Sequence, residues 1–291
     1  MNKIIVITGP TAVGKTKLSI EIAKQLNGEI INADSTQIFK NMDIATAKIK
    51  PEEKENIKHH LIDIKDYSQD YNVYDYQIDC RNIIDKLFNK SKTPIIVGGT
   101  GLYIKAALYD YKFTEYNSNL NLEQYTNEEL NNEILKHNIT SEVHINNRKR
   151  LINALKNSYT NNDDYKGKDK LLYDVVFICL TTNRETLYER INKRVDVMFE
   201  AGLIEEAKTI YKTNIRTKAV MTPIGYKELF EYFENNISLE DVKELIKKRS
   251  RNYAKRQYTW FRNQMNLKFI EVNFDNFNNT IAETMNYIQN S

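Results

Sequence analysis

The sequence is poor in cysteine and histidine. Its 291 residues include two cysteines, Cys80 and Cys179, and four histidines, with no CxxC pair and no Cys/His cluster. That excludes a disulfide framework and a structural zinc site and makes a reducing, cytoplasmic compartment the expected one. Long hydrophobic runs are missing too. Runs such as Ile4 to Ile7 stop far short of the roughly 18–20 apolar residues that a membrane span needs. This run passes straight into Gly9-Pro10-Thr11 without a small-residue cleavage site, as a buried strand does and a secretion signal does not. Neither sign of charge is in large excess: 42 Lys+Arg against 39 Asp+Glu leave +3, so any affinity for nucleic acid has to come from where the bases sit. What is present is 41% hydrophobic residues. That is enough for a sizeable core and excludes disorder of the whole chain.

Strand and helix patterns alternate through the first third. Lys3–Thr8, Glu29–Ala33, His60–Ile64, Pro94–Val97 and Asp174–Leu180 have the β-branched, apolar character of strands covered on both faces. Lys15–Leu26 and Tyr74–Phe88 carry apolar residues at helical spacing. Strands separated by helices of this length imply βαβ units and a mostly parallel sheet. From Phe113 to Ile145 no strand pattern occurs and Asn127–Leu135 has helical composition, which reads as a helical insertion. Asn157–Lys170 is polar and nearly free of aliphatics, the composition of a mobile surface loop. After Thr181 the pattern is helical to about Gln264, with a final strand expected at Lys268–Val272. The expected division is a core of residues 1–112 and 146–291 with an insertion of 113–145.

One motif is complete. Gly9-Pro10-Thr11-Ala12-Val13-Gly14-Lys15-Thr16 matches GxxxxGK[ST], with a strand leading in and an amphipathic helix leading out. Glycine lets successive backbone N–H groups curl around phosphate oxygens while the helix presents its positive N-terminus. Lys15 would neutralise phosphate charge and the Thr16 hydroxyl would ligate Mg²⁺. Nucleotide-hydrolysing proteins with this loop also carry an apolar strand ending in Asp. Here Ile95-Ile96-Val97 runs into Gly98-Gly99-Thr100 with no acid, whereas Ile30-Ile31-Asn32-Ala33 runs into Asp34. Asp34 is therefore the acid expected beside the phosphate site, at the carboxyl end of a strand where open α/β sheets bind ligands. It could hold metal or take a proton from an acceptor, and a helix N-cap at Asp34 or Ser35 is compatible with either.

The run from Asp34-Ser35-Thr36-Gln37 to Ala47-Lys48 resembles the segment that follows the phosphate loop in tRNA dimethylallyltransferases. So do His59-His60-Leu61-Ile62-Asp63, Val97-Gly98-Gly99-Thr100-Gly101-Leu102-Tyr103, Ile224-Gly225-Tyr226-Lys227-Glu228 and Ala254-Lys255-Arg256-Gln257-Tyr258-Thr259-Trp260-Phe261-Arg262, in the family's order. The resemblance implies a P-loop, nucleotide-kinase-like α/β fold with a small helical insertion and a helical carboxyl-terminal region. It also implies transfer of a dimethylallyl group from its diphosphate to N6 of the adenosine 3′-adjacent to the anticodon. As the C–O bond of an allylic diphosphate loosens, negative charge grows on the departing diphosphate, and an anion cradle stabilises it. Gly9 to Thr16 would bind the diphosphate, joined by Arg194, with Arg190 and Lys193 as adjacent candidates. Asp34 would be the base that makes a delocalised adenine N6 nucleophilic, and Thr100 would position the reacting groups. Asp34, Ser35, Thr36, Gln37 and Thr100 would hold the adenosine.

The expected partners are dimethylallyl diphosphate and the tRNA anticodon stem-loop, with no membrane and a monomeric protein. From Lys247 to Arg262 there are seven bases and no acid, a phosphate-facing stretch from which Arg251, Lys255 and Arg256 are expected to touch tRNA. Ala254, Tyr258 and Phe261 form the opposing apolar stripe, and Trp260 is expected in the core. Lys149 and Arg150, just after the insertion, are further expected tRNA contacts. The stretch around them, His144 to Lys156, lacks the family's usual proline, acid and second arginine, so a reduced clamp on the anticodon stem is expected. Two other readings share the fold. One is an adenylate isopentenyltransferase acting on free AMP, ADP or ATP, which needs neither the insertion nor the basic helix. The other is a small-molecule kinase, against which the missing strand-terminal acid near Gly98 counts. A non-catalytic P-loop RNA-binding module is the reading left if Asp34 is dispensable.

Overall fold

Alternating β-branched strands and amphipathic helices wind into one parallel sheet. The computed structural model describes residues 3–113, 122–137, 143–159 and 170–291. β1 (Lys3–Thr8), α1 (Lys15–Gln25), β2 (Gly28–Asn32), β3 (His59–His60), α2 (Val73–Phe88), β4 (Thr93–Val97) and α3 (Gly101–Leu108) come first. After the insertion come β5 (Asp174–Thr181), α6 (Arg184–Glu200), α7 (Leu203–Lys212), α8 (Lys218–Met221), α9 (Tyr226–Phe233), α10 (Leu239–Gln264), β6 (Lys268–Glu271) and α11 (Phe277–Gln289). The strand order is β3-β2-β4-β1-β5-β6, and every recorded strand pair is parallel. β1 lies in the interior of the sheet, so its Ile4, Ile5, Val6 and Ile7 are buried on both faces, which is why this strand reads as an unbroken apolar run. All six carboxyl ends point the same way, and the loops that follow β1, β2 and β4 converge there.

Two expectations change. The third strand stops at His60 instead of reaching Ile64, because Leu61 (φ 58°) and Asp63 (φ 57°) take the left-handed conformation, which ends an extended strand. The closing helix α11 has no counterpart in the pattern reading. It covers α1 and β6 with Met285, Ile288 and the half-buried Phe277 and Ile281.

The second unit runs from Tyr109 to Leu171, wider than the 113–145 expected. Within it α4 (Asn127–Lys136) and α5 (Arg148–Tyr159) share a small core of Leu122, Leu130, Ile134, Leu151, Ile152 and Leu155. The apolar stripe of α5 packs on that of α4, so α5 goes with α4 and not with the sheet. Arg148 locks the pair by donating to the carbonyls of Tyr125 (2.6 Å) and Glu123 (2.7 Å). α5 runs on to Tyr159, two residues past the expected start of the polar loop, and most of that loop, residues 160–169, lies outside the described residues.

At the amino end of β2, Glu29 is buried and faces two bases. Lys92 Nζ and His60 Nε2 each lie 2.7 Å from its carboxylate. Burial alone would raise its pKa, but the hydrogen bonds from Lys92 and His60 outweigh this and hold it below the ordinary value. A folded pKa below the unfolded one, about 4.3, gives stability that is present above that pH and lost as pH falls through the folded value. Glu29→Gln is therefore expected to cost about 1–3 kcal/mol at neutral pH. Thermal melts should show the gap to wild type closing below about pH 4; a gap that stays constant with pH would assign the loss to packing.

Candidate active site

The phosphate loop adopts the curled backbone that its sequence allows. Gly9 has φ 133° and Gly14 φ 98°, and Ala12 is drawn into the left-handed region at 65°. A Cβ on Gly9 would stand 2.5 Å from the Leu180 carbonyl oxygen of β5, so only glycine fits. Lys15 is half-buried and folds back to donate to the carbonyls of Gly9 (2.9 Å) and Pro10 (2.6 Å). Burial, and then the charge of Arg194, push its ammonium down to about 8, against smaller opposing effects of Asp34 and Cys179. Arg194, on α6, is likewise held below its ordinary value by burial, and Asp34 and Glu53 only partly offset this. Two desolvated cations that share only Asp34 as a carboxylate acting on both make a site short of negative charge, which an anion completes.

The neighbouring bases are separated by their contacts. Arg190 Nε donates to the Ala12 carbonyl (2.9 Å) and its guanidinium stacks on Phe274, 3.9 Å from the ring centroid, so it braces the loop from behind. Lys193 is exposed. Arg194 makes no hydrogen bond among the described residues, and it alone of the three acts on Lys15.

Asp34 follows β2 and enters no helix, so the N-cap alternative does not apply. Its Oδ1 accepts the Thr36 N–H (3.0 Å) and hydroxyl (2.7 Å). This Asx-turn uses one carboxylate oxygen and leaves Oδ2 to accept elsewhere. Thr100 comes up from the end of β4: its Oγ1 accepts the Ser35 N–H (3.1 Å) and lies 3.3 Å from Ser35 Oγ. The structure thus brings Asp34, Ser35, Thr36 and Thr100 together. The amide of Gln37 instead turns inward, donating to the carbonyls of Thr46 (3.1 Å) and Ala47 (3.4 Å).

The other motifs hold this loop from outside. Lys48 donates to the Phe39 carbonyl (2.8 Å) and pairs with Asp43 and Asp63, each at 2.6 Å. The Glu206 carboxylate accepts three consecutive amides, Asp43 (2.8 Å), Ile44 (2.8 Å) and Ala45 (3.0 Å), and the Tyr226 hydroxyl (2.7 Å). Glu228, buried, accepts the Gly225 N–H (2.7 Å) and pairs with Arg249. The residues from Asp34 to Lys48 are fixed by side chains spread over more than 150 positions of sequence.

Two residues of α10 reach the site unanticipated. Buried Gln257 accepts the Thr11 N–H (3.0 Å) and donates to the Gly99 carbonyl (3.1 Å). The Tyr253 phenol, one turn earlier, lies beside Gln257 and Thr100, and burial, then the Asp34 charge, raises its pKa. Tyr103 on α3 is raised in the same way, by burial and then Asp34. The sequence signals were that Gln257 lies in the Ala254–Arg262 motif and that Tyr253, Gln257 and Trp260 share one helix face.

The basic stretch divides by contact. Lys247 pairs with Asp196 and Glu244 at 3.0 Å each, Arg249 with Glu228, and Arg251 donates to Asn192 Oδ1 (2.6 Å). Arg256 is exposed and lies over Tyr253. Lys248, Lys255 and Arg262, seven residues apart, are exposed with no ion pair among the described residues. Ala254 and Phe261 are buried and Tyr258 half-buried, as the apolar stripe requires, and Trp260 packs on the Gly101 backbone. In the second unit Lys149 and Arg150 are exposed on α5.

Among the described residues, no cluster of three His, Cys, Asp or Glu side chains is placed to hold a metal ion. The residues nevertheless fit a hard cation carried on phosphate. Thr16, in the first turn of α1, is exposed and its hydroxyl has no hydrogen-bond partner among the described residues. Mg²⁺ takes few protein ligands and keeps its waters and phosphate oxygens. No helix among the described residues is long and apolar enough to cross a membrane.

Comparison with known proteins places these features in company. The IPP transferase family profile matches residues 37–264. The tRNA dimethylallyltransferase of Anoxybacillus flavithermus is 44% identical over 99% of this chain and 96% of its own length. That of Geobacillus kaustophilus is 46% identical over 93% and 90%. Among solved structures, the tRNA isopentenylpyrophosphate transferase of Bacillus halodurans superposes with a TM-score of 0.79 at 39% identity, over 100% of this chain and 96% of the other. A eukaryotic dimethylallyltransferase acting on tRNA gives 0.85 at 30% identity, over 99% and 80%.

Proposed function

The chain belongs to the IPP transferase family, and from that footing we propose that it transfers the dimethylallyl group of dimethylallyl diphosphate to N6 of the adenosine 3′-adjacent to the anticodon of tRNA. The observation that carries this reading is the placing of two desolvated cations, Lys15 and Arg194, so that Asp34, on the neighbouring strand end, is the carboxylate whose charge acts on both. The loop amides from Val13 to Thr16, Lys15 and Arg194 bind the diphosphate and stabilise the charge it gains as the C–O bond loosens. Thr16 would hold Mg²⁺ through its hydroxyl, and the ion would neutralise further leaving-group charge. Asp34 Oδ2 accepts the proton from adenine N6 as the C–N bond forms, while Oδ1 stays tied to Thr36. Thr100 and Ser35 fix the carboxylate's surroundings. The acceptor base has to leave its stack to reach this point. The exposed Lys248, Lys255 and Arg262 on α10, with Lys149 and Arg150 on α5, supply phosphate contacts to the RNA.

The test is incubation with labelled dimethylallyl diphosphate and either unmodified tRNA or AMP. Label is expected in tRNA and not in AMP, with ATP unconsumed. Label in AMP alone would make the protein an adenylate isopentenyltransferase, and ATP consumption without label transfer would make it a kinase.

A pH dependence follows from Lys15. With its ammonium titrating at about 8 in the absence of an anion, inorganic pyrophosphate should bind less tightly above that pH. The affinity should fall by up to about tenfold per unit, since the protonated form is the one that binds. Isothermal titration between pH 7 and 9.5 measures this. Lys15→Arg, which stays charged, should lose the part of the slope due to Lys15 and keep the part due to pyrophosphate's own titration. Equal slopes in both proteins would remove Lys15 from the anion contact.

A further inference from the structure

We propose that Gln257 is a positioning residue that sets the spacing between the diphosphate cradle and the acceptor-side loop; the proposal rests on the reading above. The two halves of the reaction sit on different loops. Thr11 belongs to the loop after β1 that cradles the leaving group, and Gly99 lies next to Thr100 in the loop after β4 that supports Ser35 and Asp34. The Gln257 carboxamide bridges them with both of its ends, Oε1 to the Thr11 N–H at 3.0 Å and Nε2 to the Gly99 carbonyl at 3.1 Å. It is buried, 5% exposed, and fits without slack: a Cβ on Gly99 would stand 2.1 Å from Nε2.

The same helix face repeats the contact on either side. The Tyr253 phenol lies beside Thr100 and the Trp260 ring lies on the backbone of Gly101. Positions i, i+4 and i+7 share one stripe of a helix, so α10 acts as a rail along the loop from Gly99 to Gly101. Only Gln257 also reaches the phosphate loop. It does so through a backbone N–H at the loop's entry, which leaves the amides nearer the α1 N-terminus to the diphosphate.

An amide is the group this position needs. A carboxylate could accept from Thr11 but would face the Gly99 carbonyl with like polarity, and an aliphatic chain would hold neither loop. Displacing reacting groups by about 1 Å costs on the order of 10²-fold in rate, whereas the cradle's own contacts stay in place.

The test uses the full-length protein with Gln257→Met and Gln257→Glu, and Val242→Ala as a control for lost packing, since Val242 is buried on the same helix about four turns away. Expected for Gln257→Met is a fall in kcat of about 10²-fold, with the KM for dimethylallyl diphosphate and the Kd for inorganic pyrophosphate within about threefold of wild type. Gln257→Glu should fall between, because it keeps the Thr11 contact. Val242→Ala should lower Tm while leaving kcat within about threefold. A folded Gln257→Met with near-normal kcat would overturn the proposal. So would pyrophosphate affinity falling in step with kcat, which would place Gln257 in the cradle itself, or failure of both variants to fold, which would assign it to stability. Absence of transfer by the wild-type protein would instead fail the underlying reading.

Discussion

Asp34→Asn is expected to lower kcat for tRNA prenylation by about 10²–10⁴-fold, the range that general-base assistance commonly supplies. The isosteric amide can still accept the Thr36 N–H and hydroxyl through its oxygen, so the turn that presents it should survive. What is lost is the basic oxygen that takes the N6 proton. Adenine N6 is a weak nucleophile because its lone pair is shared with the ring, and without a base the developing C–N bond leaves a proton on a cationic nitrogen. Asp34 also offsets the positive charge around Lys15 and Arg194. Removing its charge should therefore leave pyrophosphate affinity unchanged or make it tighter. Single-turnover transfer and pyrophosphate titration on the same preparation separate the two effects. Near-normal turnover would end the role of Asp34 as base, and affinity falling with rate would make it a ligand of the anion site.

Arg194→Gln should cost about 10²–10³-fold in kcat/KM, the usual effect of removing one preorganised group aimed at developing negative charge. Its guanidinium is desolvated and has no hydrogen bond among the described residues, so the site holds it ready for an anion at an electrostatic cost in the free protein. Arg190 provides the contrast. Stacked on Phe274 and hydrogen-bonded to Ala12, it spends its donors on the loop's shape. Arg190→Gln is therefore expected to lower Tm and to change kcat/KM by less than about tenfold. Steady-state kinetics of the two variants with dimethylallyl diphosphate as the varied substrate decides between them. A larger loss from Arg190→Gln would transfer the diphosphate contact to that residue.

The phosphate loop, its flanking strand and helix, and the parallel sheet were legible because each rests on local rules: apolar runs for doubly covered strands, 3.6-residue spacing for helices, glycine where the backbone must curl. β3 was overextended because nothing in His-Leu-Ile-Asp-Ile announces two left-handed residues; those follow from tertiary contacts such as Asn32 Nδ2 donating to the Leu61 carbonyl at 2.9 Å. α5 was assigned to the wrong unit because its apolar stripe fits either partner and only packing on α4 decides. The site was half legible. Asp34 and Thr100 could be expected from motif and strand ends, whereas Gln257 and Tyr253 lie in a stretch dominated by basic residues, where polar side chains read as solvated. The same stretch shows how charge misleads: Lys247, Arg249 and Arg251 serve the fold through Asp196, Glu228 and Asn192, and Lys248, Lys255 and Arg262 face solvent together with Arg256, which lies over Tyr253.

The central claim is that an anion cradle receives a departing diphosphate while the carboxylate after β2 faces the incoming amine. The direct measurement is a crystal structure with a non-reactive thio analogue of dimethylallyl diphosphate and an unmodified anticodon stem-loop. The diphosphate is expected on the amides of the loop ending at Thr16, the Arg194 guanidinium on its oxygens, and Asp34 Oδ2 within about 2.6–3.2 Å of adenine N6. A diphosphate bound elsewhere, or an Asp34 carboxylate turned away from the extruded base, would contradict it.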